Sequence, residues 1–98
     1  MKYKLFQVKS NLTRTYGFVG LSLLIEHGGG VNLDNYDLVY EGTINETNKV
    51  AILNDLYYLF NQERPEDFTG RSMSVSDIIQ LGNEYYYCDS FGWEKVEI

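Results

Sequence analysis

The strongest constraint on this chain is a change of hydrophobic period near residue 48. Residues 36–44, Tyr-Asp-Leu-Val-Tyr-Glu-Gly-Thr-Ile, alternate with period two, placing Tyr36, Leu38 and Tyr40 on one face and Asp37, Val39 and Glu41 on the other. Successive side chains of a strand point to opposite faces, so this pattern predicts a half-buried strand. Beyond it, Val50, Leu53, Leu56, Tyr57 and Phe60 recur at three- and four-residue spacing. That spacing draws one apolar stripe along a helix. Thr47 or Asn48 can cap its start, and Pro65 lies past its end, where a helix cannot continue. A chain that holds both periods must pack a helix on a sheet.

The remaining segments fit that frame. Residues 3–9 alternate, with Tyr3, Leu5 and Gln7 on one side and Phe6 and Val8 on the other. Ser10 to Thr15 is polar and reads as a loop. In residues 18–27, Leu21, Leu24 and Ile25 suit a short helix that Gly28-Gly29-Gly30 would stop. Residues 72–76 read as extended or turn-like, with Met73 and Val75 pointing inward between Ser72, Ser74 and Ser76. Ile78–Leu81 and Glu84–Asp89 are β-prone runs joined by Gly82-Asn83, a type II′ hairpin signature. After Gly92, Lys95–Ile98 forms a last edge strand. The expected architecture is a single α+β domain over residues 1–98. It has a small, mostly antiparallel sheet of four to five strands, with one or two helices packed on one face.

The core must form without covalent help. Cys88 is the single cysteine, so no intrachain disulfide is possible. In its place the chain is 44% apolar and 15% aromatic, enough to exclude a disordered chain. The N-terminal segment is interrupted by Lys9, Ser10 and Asn11, unlike a signal peptide, and no apolar run approaches a membrane span. A cytoplasmic location, away from membranes, is expected.

Charge is uneven. Lys2, Lys4, Lys9 and Arg14 give residues 1–14 a charge of +4; the other four basic residues and all 14 acids give residues 15–98 a charge of −10, for −6 in total. Such a surface repels phosphate backbones. It suits solubility, or a protein partner with a basic face.

No complete catalytic or metal set emerges. His27-Gly28-Gly29-Gly30 is similar to an oxyanion-hole loop, but His27 is the sole histidine, and no nucleophile elbow accompanies it. One Cys and one His cannot build a zinc site. No phosphate-binding loop or calcium loop is present. Cys88 reads as a small buried hydrophobe and Glu66-Asp67 as a solvated turn. Tyr85-Tyr86-Tyr87, with Phe91 and Trp93, could stack on bases. Their neighbours Glu84, Asp89, Glu94 and Glu97 argue against direct nucleic-acid binding and for a protein-binding surface. No cofactor is expected.

The stretch Arg64-Pro65-Glu66-Asp67-Phe68-Thr69-Gly70-Arg71-Ser72-Met73-Ser74-Val75-Ser76-Asp77-Ile78-Ile79 resembles the signature of the YodL-like domain family. Tyr85-Tyr86-Tyr87-Cys88-Asp89-Ser90-Phe91-Gly92-Trp93 is similar to that family's closing strand and turn. Looser matches lie at Tyr3–Gln7, Tyr36–Glu41 and Leu56–Asn61. The resemblance implies a domain of Gram-positive mobile elements, such as conjugative elements, plasmids or phages, sometimes within large polyvalent proteins. It implies no catalytic residues.

Within the signature, Gly70 would relieve backbone strain. Arg71 could pair with Asp67, Asp77 or a partner's carboxylate. Ser72, Ser74 and Ser76 would share one face of an extended segment ended by Asp77 and could bind an anion or a peptide backbone; the plainer reading, which is preferred, is that Ser76 and Asp77 cap local turns and the other serines face water. Arg71, Ser72, Ser74, Ser76, Asp77 and Trp93 are therefore the candidate partner-binding residues. The expected role is non-enzymatic: an accessory or effector domain of a mobile element that binds a host or element-encoded protein. The alternative is an acidic nucleic-acid mimic that inhibits a host defence nuclease. A small enzyme ranks third.

Overall fold

The computed structural model describes residues 1–98, apart from the side chains of residues 27 and 28. Its strands are β1 (Lys2–Val8), β2 (Tyr36–Thr43), β3 (Ile78–Leu81), β4 (Glu84–Asp89) and β5 (Gly92–Val96). The helices are α1 (Thr13–Tyr16), α2 (Leu21–Gly28) and α3 (Lys49–Gln62). The strands form one sheet in the order β2-β1-β3-β4-β5, antiparallel at every pairing. The expected α+β class and five-stranded sheet are present.

The sheet is buried on both sides. Ile78 and Ile79 are neighbours in β3, point to opposite faces, and are both fully buried. On one face Ile79 joins Tyr3, Leu5 and Leu81 beneath Ile52, Leu53, Leu56 and Phe60 of α3. On the other, Ile78 joins Val8, Tyr36 and Tyr87 beneath Leu24 of α2. The helices, expected on one face, are thus divided between two, because β1 and β3 carry apolar residues at both parities.

Three local readings shift. In β2, Leu5 pairs with Tyr40 but Phe6 pairs with Leu38, so Val39 is an extra, bulged residue. The bulge reverses the alternation. Tyr36 enters the α2-side cluster while Tyr40 packs on the α3 side, rather than both sharing one face. The buried stripe of α3 is Ile52, Leu53, Leu56 and Phe60, leaving Val50 and Tyr57 exposed. Ser10–Thr15 is not an open loop: a 3-10 turn at Ser10–Leu12 leads into α1, and the Thr13 hydroxyl donates to the Ser10 carbonyl.

Other boundaries follow local chemistry. Asn48 caps α3 by accepting the Ala51 N–H at 3.0 Å. Gly29 ends α2 at φ 76°, the left-handed position. At the β3–β4 turn, Gly82 has φ 59° and Asn83 does not have positive φ, as a type II′ turn requires. The last strand begins at Gly92, directly after the two-residue turn Ser90-Phe91, not at Lys95. Among the described residues, no helix is long and apolar enough to cross a membrane.

Candidate functional site

The signature segment crosses from the end of α3 to the start of β3 as a strap over β1. Its first anchor is Phe68, whose ring meets Phe60 edge-on at 4.8 Å and Tyr40 at 6.0 Å. Asp67 accepts the Tyr40 hydroxyl proton at 3.1 Å. At Gly70 the backbone passes so close to β1 that a Cβ would lie 2.7 Å from Gln7 Oε1 and 2.8 Å from the Phe68 ring. Gly70 is therefore needed for space; its φ is not positive, which corrects the expected relief of backbone strain. Met73 then enters the α3-side core.

Gln7 is the hub of this strap. It is 2% exposed, although it lies on the same strand face as Tyr3 and Leu5. Its Oε1 accepts the Arg71 N–H at 3.0 Å. Its Nε2 donates to the Arg71 carbonyl at 2.9 Å and to Asp77 Oδ2 at 3.0 Å. Asp77 Oδ2 also accepts the Ser74 N–H at 3.0 Å, while the Asp77 N–H donates to the Ser74 carbonyl at 3.1 Å. The carboxylate thus caps a tight turn at residues 74–77. Burial pushes the Asp77 carboxyl up to about 7, opposed by the Gln7 hydrogen bond, the Ser74 N–H and the Arg71 charge.

The candidate residues therefore separate. Arg71, Ser74, Ser76 and Asp77 come together. The Arg71 guanidinium donates to the Val8 carbonyl at 3.0 Å and lies 5.9 Å from the centre of the Phe18 ring, with no ion pair to Asp67 or Asp77. Ser76 is buried at φ 90°, and its Oγ accepts the N–H of Phe18, itself at φ 61°. Ser72 is exposed and Ser74 half-buried, so the three serines do not share a face. The chain turns at residues 75–76, which breaks the assumed extended geometry. Gln7 and Phe18 escaped the sequence reading. A polar residue on the Tyr3–Leu5 face was the signal for Gln7; nothing in the sequence marked Phe18.

Trp93 stands apart, on the α3 side of the β5 edge. It is half-buried against the α3-side core. A cleft of about 310 Å³ lies between the start of α3 and β5, lined by Val50, Leu53, Tyr86 and Trp93. A second, of about 260 Å³, continues past Tyr57, Cys88 and Asp89. Lys49 and Lys95 both contact Glu84, Lys95 at 2.8 Å, so one carboxylate is shared by two cations beside the first cleft. Cys88 is buried, and burial together with the Asp77 and Asp89 charges pushes its thiol up to about 12. Such a shift favours the thiol over the nucleophilic thiolate. His27 lies outside the described side chains.

Fold and site define a small α+β domain, with a five-stranded antiparallel sheet enclosed by helices and secured by a buried polar strap. The chain belongs to the YodL-like domain family, whose model matches residues 2–98. No curated protein and no solved structure gives a match.

Proposed function

We propose that this chain is a non-enzymatic interaction domain, an accessory or effector of a mobile genetic element that binds a host or element-encoded protein. The observation that carries this reading is the exposed apolar surface around Trp93. Val50 is 68% exposed and Tyr57 42% exposed on α3, beside clefts that already hold the indole. A half-buried Trp at the centre of an apolar depression is the chemistry of a binding hot spot. By contrast, the Arg71, Ser76 and Asp77 side chains of the signature are bonded to the chain's own backbone and to Gln7. The mobile-element role rests on the resemblance that also led to the family.

The ion pairs favour this reading over nucleic-acid mimicry. Glu84 is bridged by Lys49 and Lys95, and Glu41 lies 3.6 Å from Lys4, so cations interrupt the acidic surface. The test is affinity capture from a Gram-positive lysate, comparing the full chain with Trp93→Ala and followed by mass spectrometry. A protein retained by the wild type and lost by the variant is expected. Retention of the same proteins by both, or turnover of a small molecule by the pure protein, would overturn the proposal.

A further inference from the structure

The outer edge of β5 has a feature that the Trp93 surface alone does not explain. Cys88 pairs with Trp93 across β4 and β5. The Cys88 N–H and C=O both turn toward the β3 side, where they bond Asp77 and Ser76 at 2.8 and 2.9 Å. Cys88–Trp93 is therefore a non-hydrogen-bonded pair, and so, two residues on, is Tyr86–Lys95. The N–H and C=O of Trp93 and Lys95 consequently point away from β4. No described residue bonds them.

Apolar clefts flank this open edge on both faces of the sheet. On the α3 side is the cleft of about 310 Å³ with Val50, Leu53 and Trp93. On the α2 side another, of about 400 Å³, is lined by Leu21, Ile25, Val31 and Val96. Each helix lines its cleft with an apolar residue that β5 leaves uncovered: Val50 is 68% and Ile25 55% exposed. An occupant that satisfies all of this must offer backbone N–H and C=O groups in strand geometry. It must also carry apolar side chains alternately toward both faces.

The opposite edge differs. β2 is interrupted by its bulge at Val39, which disfavours continued pairing; the β4–β5 register runs without a shift. Charge narrows the choice further. Glu94 and Glu97 are exposed and have no ion-pair partner among the described residues. A second copy would bring the same charge of −6.

Resting on the interaction reading above, we infer that the partner is bound through an extended, cationic segment, apolar at successive positions so that both of its faces carry apolar side chains, which adds to β5 as a sixth strand. Trp93 receives one row of its side chains and the Leu21–Ile25 cleft the other. The contact to the segment's backbone is made by Trp93 and Lys95.

The test uses a library of short linear peptides displayed on phage and selected on the immobilised full chain. A selected peptide is then synthesised and its affinity measured by fluorescence anisotropy. Enrichment of adjacent apolar residues flanked by Lys or Arg is expected. Lys95→Pro, which removes an outward N–H, should weaken binding about tenfold. The comparison is made with Lys95→Ala, which removes the same side chain and keeps that N–H, so that the tenfold loss is read between these two variants. Independently of how the proline variant folds, N-methylation of alternate peptide amides should abolish binding at one parity and spare it at the other. If N-methylation shows no such parity while Trp93→Ala still weakens binding, strand addition fails and the interaction reading stands. Absence of any peptide that Trp93→Ala weakens overturns both. A dimer in sedimentation that the peptide competes away would make a second copy the occupant and overturn the partner assignment.

Discussion

The strap at residues 68–77 and the outer edge of β5 treat their polar groups in opposite ways. In the strap, Gln7 and Asp77 are each 2% exposed, and their amide and carboxylate are bonded to the chain's own backbone and to one another. On β5, the backbone groups of Trp93 and Lys95 face outward between two apolar clefts. A strap of this kind fixes the path of the chain; an edge of this kind is left open to another chain. The most distinctive stretch of the sequence thus secures the fold, and the proposed binding surface lies in a plain hairpin.

The largest expected effect comes from breaking the hub. Gln7→Ala strands the Arg71 N–H, the Arg71 carbonyl and part of the Asp77 carboxylate in a buried place. Each stranded group costs about 1–3 kcal/mol, so urea denaturation should show a loss of about 4 kcal/mol or more. A loss below about 1 kcal/mol would remove the distinction between strap and edge.

Next is a pH effect with a defined sign. The Asp77 carboxyl is raised from 3.8 to about 7 in the folded chain. Below the lower value it is protonated in both states and carries no penalty. Between the two values the unfolded chain ionises first, so stability falls as pH rises; above about 7 the penalty is constant. Wild-type stability relative to Asp77→Asn should therefore decline across this window, by as much as ~4 kcal/mol. The comparison cancels the other carboxylates. A difference that rises with pH would mean that Arg71 outweighs burial.

Gly70→Ala forces a Cβ against Gln7 and Phe68 and should cost about 2 kcal/mol in the same assay. The edge should behave otherwise. Phe91, fully exposed at the β4–β5 turn, should tolerate Phe91→Ser within about 0.5 kcal/mol. Should Phe91→Ser destabilise as much as Gly70→Ala, the edge would be part of the core.

These contrasts also show what the sequence could reveal. The hairpin at Gly82-Asn83, the cap at Asn48 and the stop at Gly29 were legible because each depends on a few adjacent residues with special backbone chemistry. The bulge at Val39 was not, because it is fixed by how β2 meets β1. Without it, Tyr36 and Tyr40 appear to share a face. Val50 and Tyr57 fit the helical period as well as Ile52 does; only the position of the sheet decides which side of α3 is buried. Within the candidate site, Arg71, Ser74, Ser76 and Asp77 do meet, yet their inward direction depends on Gln7, distant in sequence. Trp93 stood out as a candidate anchor by residue type, while the outward direction of its N–H depends on the bonding of Cys88 on the neighbouring strand.

Amide hydrogen exchange tests the central claim most directly, measured residue by residue on the full chain with and without a selected cationic peptide. The account predicts that the peptide slows exchange at the Trp93 and Lys95 amides and leaves the Arg71, Ser74 and Asp77 amides, already bonded within the fold, unchanged. Protection confined to residues 70–77 and the neighbouring Phe18, with Trp93 and Lys95 unaffected, would contradict it and move the binding surface to the strap.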